Sequence, residues 1–178
     1  MKNETLFKLL RKIPTQGGYY PFAKADFEQR KIDPRILKVG QKFVYREIYQ
    51  SLLEELPAIF SEFAMASGFC DLDPHFFFGA DYDGTESMSF YIPPLVEQHG
   101  TEYVIMDGVH RDFIASRSSP TNTAIIIKNI GMPFPCGIRP WSEIKVISLS
   151  QKPQDINERY FDLNKNLFRD LKFLGIDG

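Results

Sequence analysis

Asp107-Gly108-Val109-His110-Arg111 is the run of residues in this chain whose types and order suit a chemical task. It follows the apolar Tyr103-Val104-Ile105-Met106 and precedes Phe113, Ile114 and Ala115, so the spacing predicts a strand ending at Asp107 and a short helix opening near His110. The first turn of a helix carries N–H groups without intrahelical acceptors and the positive end of the helix dipole, which together draw an anion. Gly108 permits a backbone conformation, or a close approach, that a side chain would hinder. His110 and Arg111 add donors at the same point, and the planar fork of arginine grips a phosphate through two parallel hydrogen bonds. Phosphate is the anion this set suits best.

Asp107 is more than part of an anion trap, because a carboxylate beside phosphates is repulsive unless something compensates. A magnesium ion bridging Asp107 to phosphate oxygens would do so, and so would use of Asp107 as a base toward a hydroxyl. His110 is the second candidate for proton chemistry. The structural alternative is that Asp107 caps the helix and pairs with Arg111 or a nearby amide.

The elements that must position these residues follow from spacing. Glu4 to Lys12 reads as a short amphipathic helix through Leu6, Leu9 and Leu10, ended by Pro14 and Gly17-Gly18. Tyr19 to Gly40 has weak periodicity and receives no assignment. Val44, Ile48, Leu52, Leu56, Ile59 and Phe63 recur at helical intervals, with Pro57 predicting a kink or two abutting helices. Pro93-Pro94, flanked by Tyr91-Ile92 and Leu95-Val96, favours an edge strand or an irregular extended entry. His99-Gly100 turns the chain into the strand before Asp107. Ala124 to Ile127 and Ile144 to Ile147 read as two further strands, separated by the loop Gly131-Met132-Pro133-Phe134-Pro135. Tyr160, Leu163, Leu167, Leu171 and Leu174 predict a last helix.

Strand, Asp-Gly-x-His-Arg, helix and isoleucine-rich strand, from Ile92 to Lys128, resemble the core of the ParB/sulfiredoxin-like superfamily. Its members characteristically bind ATP, ADP or CTP with the phosphates over this turn, so the resemblance implies Gly108, His110 and Arg111 as phosphate contacts. Sulfiredoxins place a catalytic cysteine immediately before the His-Arg pair, where this chain has Val109, so that activity is not expected. ParB-type partition proteins carry a helix-turn-helix domain after the nucleotide fold, and too few residues follow Lys128 for one of the usual size. A third branch resembles free-amino-acid kinases and keeps the aspartate, as Asp107 does here. The resemblance therefore implies ATP- or ADP-dependent phosphoryl transfer or nucleotide hydrolysis, with magnesium on Asp107 and a small hydroxyl-bearing substrate. A noncatalytic nucleotide-sensing module, controlling a protein or nucleic-acid partner, is the alternative.

Charge is unevenly spread. Residues 1–60 carry 11 basic and 7 acidic side chains, 61–110 none and 9, and 111–178 10 and 7. The acidic middle disfavours duplex DNA as a partner. Asp71, Asp73, His75, Asp81 and Asp83 contain the ligand types of a divalent-metal site, which would suit a third function, a DNA-processing nuclease. Turn and capping roles are their simpler explanation, because the calcium-loop spacing fails. His75 and His99 are further acid-base candidates, Arg117 a further phosphate contact and Trp141 a stacking residue. Each has a structural reading: solvated or backbone-satisfied histidines, a helix-end arginine, and a tryptophan anchoring its loop. Phe76-Phe77-Phe78 reads as buried strand packing against the alternative of a partner surface. Cys70 and Cys136 lack the spacing of a zinc site and read as reduced structural thiols. No apolar stretch approaches the ~18 residues needed to span a bilayer, so a cytoplasmic protein without membrane attachment is expected. The fold expectation is a single α/β (α+β) domain: a small mixed sheet of 103–107, 124–128 and 144–148 with flanking helices. Residues 1–66 form a mainly helical N-terminal region, 87–150 the core, and 154–175 a C-terminal helix.

Overall fold

The computed structural model of the chain describes residues 3–59, 74–80, 84 and 86–171, with the side chains of 55–59, 75–80 and 86–90 outside that description. In chain order its helices are α1 (Asn3–Leu10), α2 (Arg46–Ile59), α3 (Val109–Ser118) and the single turn α4 (Ile156–Arg159). Its strands are β1 (Asp26–Ile32), β2 (Lys38–Val39), β3 (Phe43–Tyr45), β4 (His75–Ala80), β5 (Glu86–Tyr91), β6 (Leu95–His99), β7 (Glu102–Asp107), β8 (Asn122–Lys128), β9 (Arg139–Pro140) and β10 (Lys145–Ile147). A six-stranded mixed sheet in the order β1-β8-β6-β7-β2-β9 is the central element. The fold is mixed α/β, as the alternation of apolar runs and helical stripes predicts.

β8 shows why the sheet sits where it does. Its residues from Asn122 to Ile127 are all buried, and their alternation feeds two separate cores. Ala124 and Ile126 pack with Val96, Ile105, Val109 and Phe113 on one face. Ile125 and Ile127 pack on the other with Leu6, Leu10, Ile13, Phe22 and Leu95. A strand covered on both faces reads as a continuous apolar run, which is the Ala124–Ile127 pattern. At roughly 25 cal/mol per Å² of buried apolar surface, each of these isoleucines contributes about 2 kcal/mol.

β6 and β7 form the hairpin expected at His99-Gly100, with Gly100 at φ +61. β7 then feeds α3, which carries the chain over β6 to β8. Within α3, Val109 and Phe113 are buried and recur at helical spacing, so the helix lies on the sheet along that stripe. α2 runs unbroken through Pro57 as a helical segment.

Several expectations are corrected. The described part of the 1–66 region, residues 3–59, is not mainly helical: β1 is an edge strand of the main sheet, paired antiparallel with β8 from Asp26↔Lys128 to Ile32↔Asn122. Its alternation of charged and half-buried residues lacks the strong apolar signal of an interior strand, because an edge needs charge to stay unpaired. Leu95–His99 is not an edge strand, since it lies between β7 and β8. Pro93-Pro94 is the irregular entry to it, and the Pro94 carbonyl accepts from Ile125 N–H at 2.9 Å. Lys145–Ile147 leaves the main sheet and pairs parallel with β3.

The helix expected over 154–175 is not formed across its described part, residues 154–171. Asp155 caps only the one turn of α4, and Tyr160 then bridges to Gln41. The backbone donors of the predicted helix are taken by distant acceptors: Phe161 N–H by Gly40 O at 2.9 Å and Asn164 N–H by Pro135 O at 2.7 Å. Asp162, at φ +44, and Asn164, whose side chain accepts from Asn166 N–H, reinforce the break. The leucine stripe that predicted the helix instead lies along an extended strap, whose Leu174 falls outside the described residues. Residues 70–73 and 81–83 also fall outside them, as does Phe63 of the helical stripe. His75 and Phe76-Phe77-Phe78 lie in β4, paired with β5. Among the described residues, no helix is long and apolar enough to cross a membrane.

Candidate functional site

Asp107 ends β7, and Gly108 turns the chain into α3 at φ +92, ψ +18. Two constraints make this position a glycine: an L side chain rarely adopts that conformation, and a Cβ would lie 2.9 Å from the Cβ of Pro94. Since Gly108 has no side chain, nothing from the cap position bonds the opening amides of α3. Helix geometry leaves Val109, His110 and Arg111 N–H without an intrahelical acceptor, and the first helical bond is Asp112 N–H to Gly108 O at 2.9 Å.

This turn opens on a cavity of about 660 Å³, inside the ~300–1,000 Å³ range of small-molecule sites. Asp107, Gly108, Val109, His110 and Arg111 all line it. β2 runs parallel to β7 in the register Val39↔Ile105, which brings Gly40 and Gln41 alongside the end of β7 and onto the wall. Tyr45, Lys152, Arg159 and the strap from Phe168 to Leu171 also line it.

The motif side chains are already partnered. Arg111 donates to Ile92 O at 2.5 Å and to Asp107 Oδ2 at 3.2 Å, with its guanidinium 5.0 Å from the centre of the Tyr91 ring. The structural role considered for Asp107, a pair with Arg111, is thus present. Two N–H groups of the arginine are committed and the rest of its fork remains for a ligand.

His110 is not the cationic contact that its place beside Arg111 suggests. Its Nε2 accepts from Tyr45 N–H at 3.0 Å, and its ring stacks on that of Tyr45 at 5.7 Å. Burial, helped by the Lys152 charge, pushes its pKa down to about 4, so the ring is neutral near pH 7. An acceptor at Nε2 fixes the proton on Nδ1, which leaves one donor rather than two.

Lys152 and Arg159 supply positive charge that the motif alone does not foretell. The Lys152 amine lies 5.5 Å from the centre of the Tyr45 ring. Arg159 donates to the carbonyls of Pro153 at 2.7 Å and Gln154 at 3.0 Å. Neither cation forms a salt bridge among the described residues, although the Arg159 charge reaches Asp155 and helps to lower the pKa of that carboxyl. Both sit some forty residues or more beyond the motif, Lys152 in a loop and Arg159 at the end of the single turn α4, so only the fold brings them here.

Two buried acids were also not singled out by spacing. Asp112 is fully buried behind the turn, where its Oδ1 accepts from the Asn122 amide, while its Oδ2 has no hydrogen-bond partner among the described residues. Burial pushes its pKa up to about 7, against the opposing Asn122 hydrogen bond and the Arg111 charge. Glu97, equally buried, receives both arms of Arg169, Nε at 2.9 Å and Nη2 at 2.8 Å, and His99 Nε2 lies 2.7 Å from its Oε2. That pair ties the strap to the centre of the sheet. His99 therefore has a carboxylate partner rather than the solvent or backbone expected for it.

The remaining candidates take structural places. Arg117 donates to Phe113 O at 2.9 Å and covers that residue's ring. Trp141 donates from Nε1 to Pro34 O at 2.8 Å and packs on the core, anchoring its loop. Cys136 is buried, and desolvation pushes its thiol up to about 12, where it is inert as a nucleophile at neutral pH. Among the described residues, no group of three His, Cys, Asp or Glu side chains converges to hold a metal. No protein-family model, curated protein or solved structure matches the chain.

Proposed function

We propose that the chain binds a nucleotide in this cavity, with the phosphates against the opening amides of α3, and that it transfers or hydrolyses a phosphoryl group. One observation carries the reading: an uncapped helix N-terminus opens into a nucleotide-sized cavity whose wall also holds Lys152 and Arg159, two cations that form no salt bridge among the described residues. Phosphate oxygens would supply the acceptors these groups lack. Arg111 can add part of its fork and His110 its Nδ1–H. A ParB/sulfiredoxin-like core remains part of this proposal, supported by the order β7, Gly108 turn, α3, β8.

In the enzyme reading, Asp107 is the residue that would hold magnesium together with phosphate oxygens, or accept a proton from a hydroxyl-bearing substrate. A single carboxylate plus phosphates is a common way to hold magnesium, which keeps most of its water. The Asp107–Arg111 pair favours the second reading, a nucleotide sensor without turnover, because a carboxylate oxygen already bonded to arginine is engaged before any metal or substrate arrives. Incubation with radiolabelled nucleoside triphosphates, magnesium and a panel of hydroxyl acceptors separates the two, since a sensor yields no product.

Lys152→Ala tests the binding itself. Among the described residues the amine has a contact with the Tyr45 ring and a charge interaction with His110 but no salt bridge, so the variant should fold normally. Its nucleotide affinity should fall by about 1.5–3 kcal/mol, the scale of a lost charge-assisted hydrogen bond. Equal calorimetric affinities of variant and wild type would remove Lys152 from the site.

A further inference from the structure

The phosphate reading leaves part of the cavity wall without a role. Phe43, Phe134 and Phe168 line it, and Phe168 packs edge-on against Tyr160 with ring centres 5.1 Å apart. Two acidic residues are among those that line the cavity, Asp107 and Asp170. Asp107 is paired with Arg111. The Asp170 backbone is held by its N–H to Pro14 O at 2.9 Å, whereas its carboxylate has no hydrogen-bond or ion-pair partner among the described residues. The adjacent Arg169 cannot serve it, because that guanidinium is taken by Glu97 and by the Leu167 and Pro133 carbonyls. The lining residues thus combine flat apolar rings with an aspartate whose carboxylate accepts hydrogen bonds and cannot donate them.

That combination discriminates among bases. Rings of this kind stack on any base face, so they fix position without choosing identity. The carboxylate does choose, because two acceptor oxygens side by side need two adjacent donors. Guanine presents N1–H beside the N2 amino group. Adenine and cytosine each set one amino donor beside a ring-nitrogen acceptor, which would face the second carboxylate oxygen. Uracil flanks its N3–H with two carbonyls. Resting on the nucleotide reading above, we propose that the ligand is a guanine nucleotide whose base stacks among Phe43, Phe134 and Phe168 and is read at N1–H and N2–H by the Asp170 carboxylate.

Calorimetric titration of the full chain, with magnesium, by tripolyphosphate, GTP, ITP and ATP tests this. ITP differs from GTP only in lacking the N2 amino group. GTP should bind at least about tenfold more tightly than ITP or ATP, the low end of what a bidentate base contact discriminates. Asp170→Asn, which offers one acceptor in place of two, should bring GTP down to the ITP level and leave tripolyphosphate affinity unchanged. Its melting temperature should match wild type, since the carboxylate has no hydrogen-bond or ion-pair partner among the described residues. GTP affinity equal to that of ITP and ATP, with tripolyphosphate still bound, would overturn the guanine assignment and leave the phosphate site standing. A GTP preference that survives Asp170→Asn would overturn the role of Asp170. Failure of tripolyphosphate and every nucleotide to bind would remove both readings. Should the variant not fold, the GTP-to-ITP ratio of the wild type still decides.

Discussion

Replacing Glu97 by alanine is expected to remove about 3–5 kcal/mol of stability, a large share of the ~5–15 kcal/mol that holds a typical domain together. The carboxylate and the guanidinium of Arg169 are both withdrawn from water and bonded through two contacts at 2.9 and 2.8 Å. Either one left alone is a buried charge without compensation. Arg169→Ala should cost a similar amount, and the double replacement Glu97→Leu with Arg169→Leu much less than the sum, because removing both charges removes the desolvation penalty too. Urea unfolding of the four proteins reads this directly. A loss below about 1 kcal/mol in the single variants would mean that the pair is solvated and the strap is not anchored there. The consequence reaches the site, since the strap forms one wall of the cavity.

Asp112→Asn should have the opposite sign. The native carboxyl titrates at about 7 and the unfolded one near 3.8. A pKa raised by folding gives stability that is complete below pH ~4 and is lost as pH rises to ~7, because the unfolded chain releases its proton first. About three pH units at 1.36 kcal/mol each make the loss roughly 4 kcal/mol. Asparagine imitates the protonated acid and keeps an oxygen for the Asn122 amide, so the variant should be more stable than wild type by about 2–4 kcal/mol at pH 8 and nearly equal to it at pH 4. His110 adds a slope of the other sign, its folded pKa being lowered from 6.5 to about 4, so its contribution is present above pH 6.5 and lost as pH falls toward 4. That term is common to both proteins and cancels in their difference. A difference that does not change with pH, or a less stable variant at pH 8, would show that Asp112 stays ionised in the fold.

What the chain discloses before folding is uneven for physical reasons. The strand, turn and helix around Gly108 are legible because local steric demands and a buried apolar face coincide in one short stretch. The isoleucines of β8 are legible for the same reason, being covered on both sides. β1 is not, since an edge strand carries Glu28, Arg30 and Lys31 where an interior strand would be apolar. The leucine stripe from Tyr160 onward misleads, because Phe161 and Asn164 give their backbone donors to Gly40 and Pro135, a choice that local spacing cannot express. Glu97 inside Leu95-Val96-Glu97, and Asp112 on the face shared by Val109 and Phe113, do leave a trace: an acid at an apolar position signals a buried partner. Lys152, Arg159 and Asp170 leave none, as nothing local distinguishes them from solvated surface charges.

The proposal depends on an anion meeting the amides that open α3. Backbone amide spectra recorded while magnesium and tripolyphosphate, then a nucleoside triphosphate, are added test it most directly. The Val109, His110 and Arg111 resonances should move furthest, and by similar amounts with both ligands, since the phosphate contacts are common to both. Binding that leaves those three amides unmoved and shifts resonances elsewhere would contradict the account.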